Sequence, residues 1–466
     1  MSVVGTGAIE TAGIPHPRWR VPVLGDVVGV RPSTIVQDSI RIGRELGPIF
    51  RRKLLGFEMV FASGAEMVAE LVDESRFGPA RGPGVDYLRN IAGDGLFTAH
   101  NDEPNWRLAH DILMPAFTQK AMRAYHSTML DVAGELIESW DRRVGRAAVD
   151  VAADMTRVTL ETIGRAGFGY EFGSFRRERP HPFVAAMARC LRHAQRVNVR
   201  VPGLGRPGDR RYRADAAFMA GVVDEVIRAR REAGDRRTDD LLGLMLNTAH
   251  PDSGEPLDEV NIRNQVITFL VAGHETTSGA LAFALYYLSR DPAALSRAQA
   301  EVDLAWGERE RPEFEQVAKL RHVRRALDEA LRLWPTVPGF ARQAREDTVL
   351  AGRYPVRKGQ PLIVVLPLLH RDPVWGVDAD VFDPDRFAPD RVRNRPAHVY
   401  KPFGTGLRAC IGRQFALHEA VLVLGLLLRR YRPRVTPGYQ LRVRELLTLK
   451  PDGFALELEH RKIGAH

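Results

Sequence analysis

The run EVNIRNQVITFLVAGHETTSGALAFALYYLSRDP, 259–292, sets the strongest limit on how this chain folds. It reads as one apolar helix of more than 25 residues, stopped by Asp291-Pro292. Such a helix belongs in an interior, and a chain of 466 residues has core enough to hold it. In its middle stands AGHETT, 272–277, with an acid and two threonines where polarity costs free energy unless satisfied. A threonine hydroxyl that competes for helix carbonyls opens the helix locally and makes room for a ligand or water. The plain alternative is a hydroxyl that bonds back to its own helix, and Thr276 alone does not decide between them.

No internal repeat, low-complexity tract or linker divides the chain. Residues 20–70 mix short β-like runs with brief helical patterns. From about 104 to 305 the reading is largely helical, as in AMRAYHSTMLDVAGELIESWDRR. Prolines and β-branched runs between 336 and 365 predict a small sheet, and an apolar helix is expected over 411–430. The expectation is a mainly α single domain over 1–466 with a small β region.

Two cysteines, Cys190 and Cys410, give no disulfide framework and suit a reducing compartment. The N-terminus lacks the order of a signal peptide, and the apolar runs at 361–369 and 420–428 are too short to span a bilayer. A soluble cytoplasmic protein with no membrane span follows. The net charge of +9 comes from arginines spread along the whole chain, without zinc spacing, helix-turn-helix or aromatic-basic repeat. This argues against a nucleic-acid partner and for a solvated surface, or a docking face for an acidic protein.

The loop FGTGLRACIG, 403–412, surrounds Cys410 with glycines. Glycine permits tight turns at positive φ and close approach of the backbone to another group. Cys410 precedes a helix, whose free N–H groups and dipole stabilise a thiolate. Arg408 is suited to pair with a carboxylate. A lone cysteine usually packs as a small apolar residue, and Cys190 in MARCLRHA is read so. Cys410 has instead the surroundings that a thiolate-ligated haem needs.

This loop resembles the haem-binding signature of the cytochrome P450 family, Phe-x-x-Gly-x-Arg-x-Cys-x-Gly, with every fixed position matched. The resemblance implies the fold of that family, with haem buried between a long distal helix and a proximal cysteine loop. It implies Cys410 as the axial ligand of the haem iron and Arg408 on a propionate. Phe403, Gly404, Gly406 and Gly412 are then expected to shape the surroundings of the sulfur. AGHETT resembles the distal oxygen-activation site, with Thr276 and Glu275 delivering protons and Ala272 and Gly273 against the haem face. Glu329 and Arg332 in EALR, with Arg386 in FDPDRF, match the family's structural Glu-x-x-Arg pair and its third partner; Asp385 stands where glutamate is frequent. Trp106 and His110, four apart on one helix face, match a propionate-binding pair whose second member is frequently arginine.

Over nearly the whole chain the resemblance narrows to bacterial long-chain fatty-acid hydroxylases whose haem domain is fused to a flavin reductase. That branch carries histidine at the position of His110. No reductase-like segment follows the haem-domain sequence here, which leaves a stand-alone enzyme or an excised haem domain; in either form a separate electron donor of ferredoxin or flavodoxin type is expected, with NAD(P)H used indirectly. The second departure concerns substrate. Where the branch has an arginine and a tyrosine for the fatty-acid carboxylate, GFEMVFAS places Phe57 and Phe61. Loss of such an anchor removes roughly 1.5–3 kcal/mol of carboxylate binding. Phe97 matches the phenylalanine over the haem, and Val337 is bulkier than the usual alanine. Met187, Leu191 and Leu447 match channel-lining positions, as Ala272 does.

The implied protein is a monomeric haem b monooxygenase that inserts one atom of O2 into a hydrophobic, neutral specialised metabolite. Three alternatives remain: subterminal hydroxylation of a fatty acid, a peroxide-driven peroxygenase, and a non-catalytic haem sensor or carrier. HETT argues against the peroxygenase, because such relatives tend to carry an arginine-proline pair there. A sensor has no need of the distal acid and alcohol.

Overall fold

Asp258 starts the central helix by accepting the N–H of Asn261 with its side chain, and the helix runs unbroken through Glu259–Arg290. Asp291 ends it and caps the next helix, Pro292–Trp306, which carries proline in its first turn. The computed structural model describes residues 13–28, 31, 33–54, 57–80, 85–100, 102–177, 179–197 and 209–462. The N-terminal segment read for a leader lies mostly outside these residues, as do the last four positions. By internal contacts the chain falls into two compact units.

The larger unit comprises Pro83–Val337, Val381–Asn394 and Cys410–His466. The central helix packs there against helices Val151–Phe168, Arg321–Leu333 and Arg413–Arg430, and against strand Leu449–Pro451. Gly279 permits the last contact, since a Cβ there would lie 2.8 Å from the carbonyl oxygen of Leu449 and from Thr336 Cγ2. A three-stranded sheet runs in the order Val149–Asp150, Ala455–His460, Tyr431–Val435, and a short ladder joins Val443–Glu445 to Leu449–Pro451.

The smaller unit comprises Met1–Gly82, Pro338–Asp380 and Arg395–Ala409. Its five-stranded sheet has the order Ile49–Leu54, Phe57–Ala62, Pro361–Val365, Gly339–Ala344, Phe77–Ala80. The first pair is antiparallel with Phe50 opposite Phe61, so the two rings stack with centroids 4.8 Å apart. Val60, Val68, Leu71, Phe77, Leu362 and Val364 belong to the core of this unit.

The protein is mainly α with small β regions, as the sequence predicts. Two local expectations change. The final helix begins at Arg413 rather than 411, because Cys410–Gly412 still belong to the loop. The central helix stays α-helical through AGHETT and does not open there.

Candidate active site

Within the central helix Val271, His274 and Thr277 are buried, whereas Ala272 is exposed and Thr276 partly so. The i,i+4 spacing places Ala272 and Thr276 on one face. The Thr276 hydroxyl donates to the Ala272 carbonyl at 2.8 Å, which leaves its oxygen lone pairs to accept a hydrogen bond from a ligand. This is the back-bonded arrangement, and room on this face comes from the small Ala272 side chain instead of from unwinding. Gly273 points elsewhere. A Cβ there would meet Ile163 Cγ1 at 3.2 Å, so this glycine serves the approach of helix Val151–Phe168, not the exposed face.

Glu275 is held in place by buried groups. Lys450 Nζ lies 3.0 Å from its Oε2, Thr448 Oγ1 donates to the same oxygen at 3.1 Å, and His274 Nε2 lies 3.1 Å from Oε1. Burial raises the carboxyl pKa, but the Lys450 ammonium and His274 outweigh it and hold the group well below the carboxylate range. Lys450 is itself pushed down by burial, opposed by Glu275. The sequence reading missed Lys450 and Thr448. Their one signal is a lysine between apolar neighbours in LLTLKPDGF.

Cys410 is accessible, yet surrounding protein raises its thiol pKa above the ordinary value, against the N–H of Gly412 and the charge of Arg413. A Cβ on Gly412 would lie 3.7 Å from Phe117, whose ring stacks on Phe269 of the central helix. The preceding half of the loop, in the smaller unit, depends on glycine. Gly404 and Gly406 lie at φ +71° and +64°, and a Cβ on Gly406 would enter the carboxylate of Glu74. Glu74 Oε1 accepts the N–H of Leu407 at 3.0 Å, an anchor that the sequence did not disclose. Arg408 ends the 3-10 turn Gly406–Arg408 and is partly buried, as is Phe403. Cys190 is fully buried in its helix, and burial pushes its thiol up to about 12, as suits an inert packing residue.

Trp106 and His110 share a face of helix Pro104–Leu113 and stack with ring centroids 5.0 Å apart. Trp106 is buried and His110 partly so. Glu329 and Arg332 form a fully buried bidentate pair, at 2.6 and 2.7 Å. Glu329 Oε1 also accepts the N–H of Asp383 at 3.0 Å, and Arg386 Nε lies 3.5 Å from it, so the three expected partners converge. Asp385 instead pairs with Arg297 at 2.8 Å.

Phe97 is half exposed, and Val337 and Leu447 are partly buried. Met187 and Leu191 are buried on the inner face of helix Pro182–Val197. Phe61 is buried against Phe50 and so is not presented to solvent, because the two are cross-strand partners. The side chain of Phe57 lies outside the described residues.

The residues present fit a haem held by Cys410. The sulfur is accessible, and the positive charge of a haem iron would favour its thiolate against the burial that raises the thiol pKa. The exposed Ala272, with Thr276 one turn on, gives a low-relief helix face of the kind a flat cofactor needs.

Such a fold and thiol site define a haem-thiolate protein. The sequence profile of the cytochrome P450 family matches residues 15–458, and the chain belongs to that family. It is 46% identical to a bifunctional cytochrome P450/NADPH–P450 reductase of Bacillus subtilis over 98% of this chain and 43% of that protein. A protein of the same description from Bacillus cereus is 45% identical over 97% of this chain and 43% of its own length. A self-sufficient cytochrome P450 monooxygenase of Exserohilum turcicum is 39% identical over 96% of this chain and 42% of that protein. The chain thus spans less than half the length of these relatives.

Proposed function

We propose that this chain is a haem-thiolate monooxygenase that inserts one oxygen atom of O2 into a hydrophobic substrate. The accessible Cys410 thiol ahead of helix Arg413–Arg430 carries the reading, and the Ala272–Thr276 face supports it. When bound, haem supplies the oxygen and electron chemistry, with the thiolate promoting O–O cleavage. The chain's own contribution is orientation and proton handling. Thr276 Oγ1 accepts from a water or ligand at the face while its own O–H donates to the Ala272 carbonyl. Glu275 is ionised in its pair with Lys450, so in this arrangement it accepts a proton before it can pass one on.

The substrate proposed is a neutral apolar metabolite, since GFEMVFAS lacks the arginine and tyrosine of the fatty-acid hydroxylases. Subterminal hydroxylation of a fatty acid is the second reading, and one observation favours it. Arg52, in the strand beside Phe57–Ala62, is fully buried, and among the described residues its Nε and Nη2 have no hydrogen-bond partner. Spectral titration with palmitate and with its methyl ester separates the two. Tighter binding of the ester supports the neutral substrate; preference for the acid, lost in R52M, supports the second reading.

The domain proposed is a single haem-binding monooxygenase over 1–466, and the electrons are proposed to derive from NADPH. The Bacillus relatives are named for a P450 joined to its reductase, whereas a separate ferredoxin- or flavodoxin-type donor is the expectation from this sequence. Turnover with an added NADPH–P450 reductase, compared with a ferredoxin and its reductase, distinguishes the two. Among the described residues no helix is long and apolar enough to cross a membrane.

A further inference from the structure

We propose that Asp111 is a positioning residue that fixes His110 as a doubly protonated imidazolium when a haem propionate lies against its Nε2. The inference rests on the reading of His110 as a propionate contact and adds a residue that the sequence comparison does not assign.

Asp111 gathers three donors. Its Oδ1 lies 2.9 Å from His110 Nδ1, and its Oδ2 accepts from Arg107 Nε at 2.6 Å and lies 3.3 Å from His250 Nε2. The tautomer of His250 follows from its other nitrogen. Nδ1 accepts the backbone N–H groups of Asp252 and Ser253, at 3.2 and 3.1 Å, so the ring proton is on Nε2 and points to Asp111. Burial raises the Asp111 pKa, but His110, Arg107 and His250 together lower it to about 2.

An ionised carboxylate has no proton to give, so the bond to His110 requires a proton on Nδ1. That leaves Nε2 with either a lone pair or a second proton. Facing an anion, a lone pair repels and an N–H attracts, so a propionate there selects the cation. The charges then balance: Asp111 and the propionate are negative, and His110 and Arg107 are positive. Among the described residues, helix Leu241–Asn247 and the turn Met114–Phe117, which pack on helix Pro104–Leu113, carry no ionisable side chain; Asp94 accepts from Asn105 Nδ2 on that helix at 2.7 Å, and Trp106 stacks on the His110 ring. Histidine is the side chain whose charge such a partner moves across the physiological range.

Haem transfer from the loaded protein to an excess of apoglobin, followed by absorbance, tests this for wild type, D111N and H110F. The wild-type rate is expected to change little between about pH 6 and about pH 8.5. D111N is expected to match it at the lower pH and release haem about tenfold faster at the higher, the ratio for one pK unit. H110F is expected to release faster at both. If D111N equals wild type at both values while H110F is faster, the role of Asp111 is overturned and the His110 contact stands. If H110F equals wild type, the contact itself fails and the proposal with it. Should D111N not fold, 15N shifts of His110 in the diamagnetic ferrous carbonyl form of wild type decide. Two protonated ring nitrogens at about pH 8 uphold the proposal, and one overturns it.

Discussion

Lys450 Nζ and Glu275 Oε2 lie 3.0 Å apart, a buried ion pair between a late strand and the central helix one position before Thr276. Thr448 Oγ1 donates to the same carboxylate oxygen, and Lys450 Nζ donates to Thr156 Oγ1 at 3.2 Å. A carboxylate so placed has a fixed direction and charge. Removing one partner of a buried pair leaves an uncompensated charge, which costs about 3–5 kcal/mol. K450M is therefore expected to lower the urea midpoint strongly, and K450M combined with E275Q to recover most of the loss. Equal midpoints for K450M and wild type would show the pair to be inert.

Thr276 accepts at the exposed face while bonded to Ala272. T276A is expected to leave the binding of substrate and the consumption of NADPH largely intact. A greater share of the electrons then appears as hydrogen peroxide and a smaller share as product. Product formed per NADPH measures this, and an unchanged ratio contradicts the proton-handling role.

The Glu329–Arg332 pair is fully buried and also holds the Asp383 backbone. R332M is expected to destabilise by about 3–5 kcal/mol or to abolish folded expression, since Glu329 is then buried without its partner. Recovery in the E329Q/R332M double variant, read by urea unfolding, checks that the cost is electrostatic.

His126 and His418 contact each other at 3.0 Å, and burial, with His126 nearby, lowers His418 to about 4. The neutral ring is thus favoured in the folded state, while the unfolded chain takes up a proton near the ordinary histidine value. Stability from this site is present above about pH 6.5 and declines as the pH falls towards about 4. Unfolding free energies from urea titration at about pH 7 and about pH 5 should differ by roughly 1–2 kcal/mol more in wild type than in H418Q. An equal difference in both would remove His418 as the cause.

The central helix, the loop before the last helix and the buried Glu329–Arg332–Arg386 group were legible in the sequence. Each rests on local spacing, apolar periodicity or a short motif. Gly273 was misplaced because a motif gives neighbours in sequence without saying which way a missing side chain points, and here it faces Ile163. Phe61 was read as a channel residue, but strand register put it opposite Phe50. Lys450, Asp111, His250 and Glu74 were not legible at all. For Lys450, His250 and Glu74 the roles come from long-range pairing, and no periodicity marks a lysine that will meet an acid 175 positions earlier. Asp111 meets Arg107 and His110 locally, and only its third partner, His250, is distant in sequence.

The central claim is that Cys410 ligates a haem iron as thiolate. The most direct measurement is the reduced carbon-monoxide difference spectrum of the haem-loaded protein, for wild type and C410S. The wild type should show the red-shifted Soret band of a thiolate-ligated ferrous carbonyl haem, and C410S should lose it. A wild-type spectrum without that band, or one unchanged in C410S, would contradict the account.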